Sequence, residues 1–253
     1  MREPDRTSDP ARLAFLSDVH ANLPALRAAL ADAERRGAEV ACVAGDLVGD
    51  GPHPAEVIDL LRERGVPVIA GNVERKVTSL AAQGRKALVE LQEKKKRGNL
   101  AWTALQLDRE RLAWLAALPP SLELGHGGVR TLVVHGSPLG DTDYVFASIT
   151  TVGIAAKLTD PAVDVLVCGH SHVPFARRVR GVLVINCGSV GRPSDGDPRG
   201  SYALAEFRSG RAPTARIVRF AYPVDEVARA IAVRGAPGID PAEYLHGLKI
   251  KGS

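Results

Sequence analysis

In the first third of the chain, short apolar runs rich in β-branched residues alternate with longer Ala-, Leu- and Arg-rich segments of helical period. The pattern predicts strands at 12–17, 39–44 and 66–70, separated by helices at 23–36 and 54–64. Pro24 lies in the first turn of the first helix, and Gly37 ends that helix. A βαβαβ order of this kind implies parallel strands in one sheet.

The rest of the chain changes from helical to strand-forming patterns. The segment 74–118 is predicted to be mostly helical, with Gly98 as a break. Strands are predicted at 121–124, 129–134, 163–167, 175–179, 182–186, 201–207 and 214–220, and closing helices at 224–234 and 241–246. Turns that contain glycine favour antiparallel hairpins among these strands. With no internal repeat or linker, we expect one α/β domain with two sheets over residues 11–253, after a disordered tail over 1–10.

Composition narrows the class of protein. The chain has 253 residues, 45% of them apolar and 25% charged, so it can form a full core without disulfides. No apolar run approaches the ~18 residues of a membrane span, and the polar N-terminus does not resemble a signal peptide. Cys42, Cys168 and Cys187 form no CxxC pattern, which favours a reducing cytoplasm.

Charge adds little to this picture. The formal net charge of +4 is too small to indicate a dedicated nucleic-acid-binding module. The basic run at 94–97 is expected to be a solvated face. Arg177, with Arg178 and Arg180, follows the last histidine pattern closely and is a candidate for steering phosphate groups, with a solvated hairpin as the alternative.

Polar residues follow directly on five apolar strands. The five fragments are Asp18-Val-His20, Gly45-Asp46, Gly71-Asn72, His135-Gly136 and Gly169-His170-Ser-His172. Because the carboxyl ends of strands in an open α/β sheet converge on one crevice, we expect their side chains to meet. The glycines before Asp46, Asn72 and His170 fit tight turns in which the backbone comes close to a ligand.

The types of side chain indicate a metal site. Two carboxylates, four imidazoles and one amide oxygen, with no thiolate, suit Mn, Fe, Zn or Ni. Seven ligands are too many for one transition metal that keeps a position open for substrate. They suffice for two metals that share one carboxylate.

The order D-x-H, G-D, G-N, H-G, G-H-x-H resembles that of the calcineurin-like metallophosphoesterase superfamily. Three stretches resemble its small prokaryotic phosphodiesterase branch: Ser-Asp18-Val-His-Ala-Asn-Leu-Pro-Ala-Leu26, Gly45-Asp-Leu-Val-Gly-Asp-Gly-Pro-His-Pro54 and Asn186-Cys-Gly-Ser-Val-Gly-Arg-Pro-Ser-Asp-Gly-Asp-Pro-Arg199. The resemblance runs from about residue 13 to 207. It implies a four-layer αββα sandwich of two mixed β-sheets flanked by helices, with a two-metal centre at one rim.

Carried over by position, the resemblance implies a ligand set. The first metal would be bound by Asp18, His20 and His172, the second by Asn72, His135 and His170, and both by Asp46 as the bridge. Asp46, Asn72 and His135 would also serve catalysis. The family's metal is most often manganese, with iron, zinc or nickel also found.

The implied function is hydrolysis of a small phosphate ester, most readily a diester, by a hydroxide held between the two metals. One alternative is a phosphomonoesterase or nucleotidase of the same superfamily. Another is a catalytically silent scaffold with this fold, like the retromer subunit. The complete ligand set disfavours the scaffold. Substrate, metal pair and oligomeric state are left open by the sequence.

Two departures from the wider superfamily limit the substrate. Many members have a histidine after the metal-binding asparagine, whereas this chain has Val73, which removes a proton donor for the leaving group. The chain is therefore expected to favour easy leaving groups or to use another acid, for which His53 is the candidate. The segment Gly45-Asp-Leu-Val-Gly-Asp-Gly51 lacks the arginine of Ser/Thr protein phosphatases, which argues against that branch and against diadenosine tetraphosphatases.

Overall fold

The computed structural model describes residues 10–94, 97–160 and 162–248. Its strands are β1 (Ala11–Leu16), β2 (Glu39–Val43), β3 (Ser121–His126), β4 (Val129–Val134), β5 (Val165–Cys168), β6 (Phe175–Val179), β7 (Val182–Asn186), β8 (Gly200–Phe207) and β9 (Thr214–Phe220). Its helices are α1 (Leu23–Arg35), α2 (Pro54–Glu63), α3 (Asn72–Ala81), α4 (Arg85–Gln92), α5 (Gly98–Leu105), α6 (Arg109–Ala116), α7 (Thr151–Lys157), α8 (Val224–Arg234) and α9 (Pro241–His246).

The strands form two mixed sheets, in the orders β2-β1-β8-β9 and β3-β4-β5-β7-β6. The side chains of β1 alternate between two hydrophobic layers: Leu13 and Phe15 face the second sheet, and Ala14 and Leu16 face the helices. On β5, Leu166 faces a third layer, with α7. The predicted four-layer αββα sandwich is therefore confirmed.

Parallel pairing brings the polar strand ends to one rim. β1 runs parallel to β2, and β4 runs parallel to β5. The two sheets are joined at this rim by hydrogen bonds, because the backbone N–H of His170 donates to Oδ2 of Asp18 at 2.9 Å. Nδ1 of His135 donates to the carbonyl oxygen of Ala44 at 2.8 Å. The fragments that follow these strands therefore face one another across the sandwich.

The predicted and the observed elements differ at two places in the chain. The strand predicted at 66–70 is a single parallel bridge between Val68 and Val43, because Pro67 has no N–H to donate to a longer ladder. The helix α7 was not predicted. The helical segment 74–118 is confirmed as four helices, α3 to α6, with Gly98 at the start of α5.

Some predictions fall on residues outside those described. The tail predicted over residues 1–10 is outside except for Pro10, and so are Lys95 and Lys96 of the basic run. The expectation of one domain over 11–253 stays a prediction. Each described helix is too short or too polar to cross a lipid bilayer.

Candidate metal centre

Most of the predicted ligands have an unusual backbone conformation. Five of the seven have φ in the left-handed region, between +48° and +64°: Asp18, His20, Asp46, His170 and His172. Residues other than glycine rarely adopt this conformation, which costs about 1–3 kcal/mol and persists only where the surroundings impose it. Here it occurs shortly after β1, β2 and β5, where it turns the side chains together at the rim.

Glycines permit the close approach of these turns. Gly45 has φ +82°, and a Cβ atom on it would lie 2.7 Å from the backbone of Gly71. A Cβ atom on Gly169 would collide with Ser17 Oγ and with Oδ2 of Asp18. The predicted close approach of the backbone is thus to neighbouring loops, because no side chain fits where the loops touch.

The seven side chains lie in two groups. In the first, Nε2 of His172 lies 3.1 Å from Nε2 of His20 and 3.1 Å from Oδ1 of Asp18. In the second, Nε2 of His135 lies 3.2 Å from Oδ1 of Asn72, and the same carboxamide lies 2.9 Å from Nδ1 of His170.

Asp46 stands between the groups. Its Oδ2 lies 3.8 Å from Nε2 of His20 in the first group and 3.3 Å from Nε2 of His135 in the second. Its Oδ1 is already used, because it accepts a hydrogen bond from the backbone N–H of Val73 at 2.9 Å. One oxygen of Asp46 is thus directed at both groups.

The donor atoms are suited to cations. Ligands at ~2.0–2.2 Å from one ion lie roughly 3–3.5 Å from one another, close to the spacing observed here. Nδ1 of His172 donates to the carbonyl oxygen of Arg192 at 2.5 Å, so the neutral ring presents a bare Nε2 to the group. The bond from His135 to Ala44 has the same effect. Oδ1 of Asp18 is buried and has no hydrogen-bond partner in the described chain.

Electrostatics also favour bound positive charge. Burial opposes ionisation of Asp18, yet the adjacent His172 holds the pKa of this carboxyl well below its usual range. Burial also opposes the ionisation of Asp46, but the adjacent His135 outweighs burial and lowers the pKa of this carboxyl. Burial would lower the pKa of His135, but Asp46 raises it to about 10. A proton on His135 balances the charge of Asp46, and a metal ion bound there would displace it.

Residues behind the ligands support them. Glu74 is buried, and its carboxylate accepts hydrogen bonds from the backbone N–H groups of Asp46, Leu47, Val48 and Gly71. Burial, and then the charge of Asp46, raise the pKa of Glu74 to about 7, although the hydrogen bonds from Gly71 and Val48 oppose the shift in part.

A second support lies behind His20. Oδ2 of Asp50 is 3.7 Å from Nδ1 of His20. Arg192 holds Asp50 in place with a bond of 2.7 Å from Nη1, and its other amino group pairs with Glu243 of α9. The C-terminal helix α9 is therefore connected to the metal centre through one arginine.

A cavity of about 400 Å³ opens over both groups. Sequence reasoning missed several residues of its wall, namely Asp50, Lys76, Arg97, Tyr144 and Arg192. Asp50 and Arg192 stand inside the motif stretches, which was a usable signal. Tyr144 gave none: its ring stacks on that of His170 with centroids 4.3 Å apart. Val73 lines the same cavity beside Asn72.

Two predicted substrate-side residues are not in this cavity wall. His53 is half-buried at the start of α2, where its backbone N–H donates to Ala21. Burial, and then the nearby Arg234, lower the pKa of its imidazole. Arg177 is exposed on β6, the outer strand of its sheet, and donates to the carbonyl oxygen of Ile149. The wall of this cavity therefore includes neither of the two side chains.

Comparisons with known proteins find relatives that span most of the chain. The family model described as the calcineurin-like phosphoesterase superfamily domain matches residues 12–210. An uncharacterised protein, MJ0912 of Methanocaldococcus jannaschii, is 28% identical over 242 residues, which cover 89% of this chain and 93% of that protein. Phosphodiesterase YfcE of Escherichia coli K12 is 26% identical over 208 residues, covering 77% of this chain and 87% of YfcE.

A solved structure agrees with these matches. The crystal structure of a metallophosphoesterase from Sphaerobacter thermophilus superimposes with a TM-score of 0.72 at 28% identity, and the alignment covers 94% of this chain and 99% of that one.

Proposed function

Because the chain belongs to the calcineurin-like phosphoesterase superfamily, we propose that it is a phosphodiesterase that works with two divalent transition-metal ions. The observation that carries the proposal is Oδ2 of Asp46, which faces both ligand groups. A shared carboxylate oxygen between two sets of imidazole and oxygen donors is what a dinuclear centre requires.

We assign each ligand to one of the two ions according to the group in which its side chain lies. Asp18, His20 and His172 would hold the first ion; Asn72, His135 and His170 the second; Asp46 both. This set of imidazole and oxygen donors suits manganese, with iron, zinc or nickel as substitutes. When bound, two such ions polarise the phosphoryl oxygens and provide a nucleophile from water near neutral pH.

The chain itself orients the ligands and sets the charge of the site. The bonds of His135 to Ala44 and of His172 to Arg192 keep both Nε2 atoms directed into the site. Asn72 contributes oxygen without charge, so the ligands bring only the two negative charges of Asp18 and Asp46. A site with few fixed negative charges repels an anionic phosphate less.

Preference for diesters with good leaving groups rests on Val73. Its side chain lines the cavity next to Asn72 and has no proton to donate. His53 lies outside that cavity wall, which supports a site without a substitute acid. The similarity to a phosphodiesterase of 26% identity supports the same preference. The buried thiols of Cys42, Cys168 and Cys187 support a reducing, cytoplasmic location.

The test is hydrolysis of bis(4-nitrophenyl) phosphate and of 4-nitrophenyl phosphate by the manganese-loaded chain. The proposal predicts that the diester is hydrolysed faster and that Asp46→Asn abolishes both activities. Faster hydrolysis of the monoester would establish the alternative, a phosphomonoesterase. No hydrolysis of either ester with both metals bound would favour a scaffold.

A further inference from the structure

A second cavity, of about 590 Å³, adjoins the one over the metal ligands. The two cavities share the side chains of Asn72, Lys76, Arg97 and Leu100 in their walls. The remainder of the second wall comes from Arg75, Ser79, Leu80 and Gln83. A substrate that enters over the metal ligands can therefore extend into this cleft, which we call the basic cleft.

The wall of the basic cleft contains three cationic side chains and no carboxylate. Arg75 is neutralised, because it forms an ion pair with Asp141. Lys76 and Arg97 have no acidic partner within ion-pairing distance in the part of the chain that the structure describes. Arg192 across the cavity differs from them, since Asp50 and Glu243 both bind it. Lys76 and Arg97 are thus the cations available to a ligand.

Lys76 and Arg97 add positive charge beside the second ligand group. Nζ of Lys76 lies 2.7 Å from the carboxamide of Asn72, in the second ligand group. Two divalent ions held by only two carboxylates leave the centre with net positive charge, and Lys76 and Arg97 add to it. Like charges at this range repel each other. One phosphate bound at the metals would face the ligand groups, whereas the cleft extends beyond them.

We propose that Lys76 and Arg97 form a subsite for a second phosphate, so that the substrate is a phosphate ester or anhydride that carries a further phosphate next to the scissile one. The inference rests on the proposed function and narrows its substrate class. Cationic side chains are the usual receptors of phosphate oxygens, through charge-assisted hydrogen bonds. Ser79 and Gln83 supply neutral donors in the wall of the same cleft.

The experiment compares two non-hydrolysable probes, methylphosphonate with one phosphonate and methylenediphosphonate with two. Their dissociation constants are measured by calorimetry on the manganese-loaded full chain after free metal is removed. The test variant is the double substitution Lys76→Gln with Arg97→Gln. The matched control is Arg85→Gln with Lys86→Gln, which removes two exposed cations of α4 that line neither cavity.

The wild type and the control are expected to bind methylenediphosphonate about tenfold or more tightly than methylphosphonate. In the test variant this ratio falls to about two, with affinity for methylphosphonate lowered no more than about threefold. An unchanged ratio would overturn the inference, since the second phosphonate would then bind the metals alone. Equal losses for both probes would overturn it too, because the two cations would then serve the scissile phosphate.

The proposed function fails in a different way. If wild-type chain with two metals bound hydrolysed no aryl phosphodiester and bound neither phosphonate, the phosphodiesterase proposal would be overturned, and the subsite with it. Hydrolysis of the aryl diester with an unchanged probe ratio would overturn only the subsite.

Discussion

Glu74 and Asp46 hold each other's loops in place: Oε2 of Glu74 accepts a hydrogen bond from the backbone N–H of Asp46 at 2.8 Å, and Oδ1 of Asp46 accepts one from Val73, the residue before Glu74, at 2.9 Å. The loop after β2 and the first turn of α3 are thereby joined. This junction sets the distance between the bridging carboxylate and Asn72, which lie on different strand ends.

Glu74→Gln should weaken this junction. The amide keeps one acceptor oxygen and turns an NH₂ group toward backbone donors, so at least two of the four hydrogen bonds are lost inside a buried site. We expect the free energy of unfolding of the metal-free chain to fall by about 3 kcal/mol, measured by urea denaturation. Glu90→Gln, on the exposed face of α4, is the control and should change it by less than about 0.5 kcal/mol. Equal stability of the two variants would show that Glu74 does not hold the loops.

Asp50→Asn should weaken the first metal site specifically. Oδ2 of Asp50 lies 3.7 Å from Nδ1 of His20, beyond hydrogen-bond distance, and its negative charge there favours a cation on the other ring nitrogen. We expect one of the two manganese affinities to fall by about tenfold or more in a metal titration, with the other changed little. The control is Asp59→Asn, which loses an ion pair with Arg111 far from the ligands. An equal fall in both affinities would contradict the assignment.

Val73→His should create an acid at the leaving group. Residue 73 lines the cavity directly after Asn72, and an imidazole of ordinary pKa ~6.5 can donate a proton near neutral pH. We expect kcat for alkyl phosphodiesters to rise about tenfold or more, while nitrophenyl esters change little because their leaving groups need no proton. Val73→Gln, polar without an acid, is the control. Acceleration of both ester classes alike would place residue 73 away from the leaving group.

Asp32→Asn tests the frame beneath the site. Asp32 of α1 accepts hydrogen bonds from Arg36 at 2.7 Å and from the hydroxyl of Tyr202 on β8 at 2.8 Å. Burial opposes the ionisation of Asp32, but the hydrogen bonds from Arg36 and Tyr202 outweigh burial and lower its pKa. Because the pKa of Asp32 is lower in the folded chain, its ionisation stabilises the fold at any pH above the pKa of the unfolded chain. This stabilisation is lost as the pH falls through the pKa of the folded chain. The variant should be about 1–2 kcal/mol less stable at pH 7, and the difference should shrink below about pH 4. A difference independent of pH would contradict this account.

Strand ends were predictable from the sequence because each ligand fragment directly follows an apolar run. β4 and β6 to β9 match their predicted ranges closely, since alternation and hairpin turns are local signals. The prediction of a strand at 66–70 was wrong because Pro67 lacks the backbone N–H that a longer ladder needs. The effect of this missing donor depends on which strand lies beside it.

What the sequence did not reveal depends on contacts between distant segments. The left-handed backbone of His170 and Asp46 is imposed by the packing of loops from two sheets. Arg192 finds Glu243 on a helix fifty-one positions later, and Tyr144 stacks on His170 from a loop that carries no motif. Arg97 belonged to a run expected to be a solvated face, yet it lines the cavity.

The manganese content per chain tests the dinuclear centre most simply. It is determined for the wild type and for Asp46→Asn by elemental analysis, after incubation with excess metal and removal of the unbound ion. If one oxygen of Asp46 joins two ligand groups, the wild type retains about two ions and the variant fewer than about one, because both sites lose the shared ligand. A wild type that retains one ion or fewer, or a variant that still retains two, would contradict the dinuclear centre.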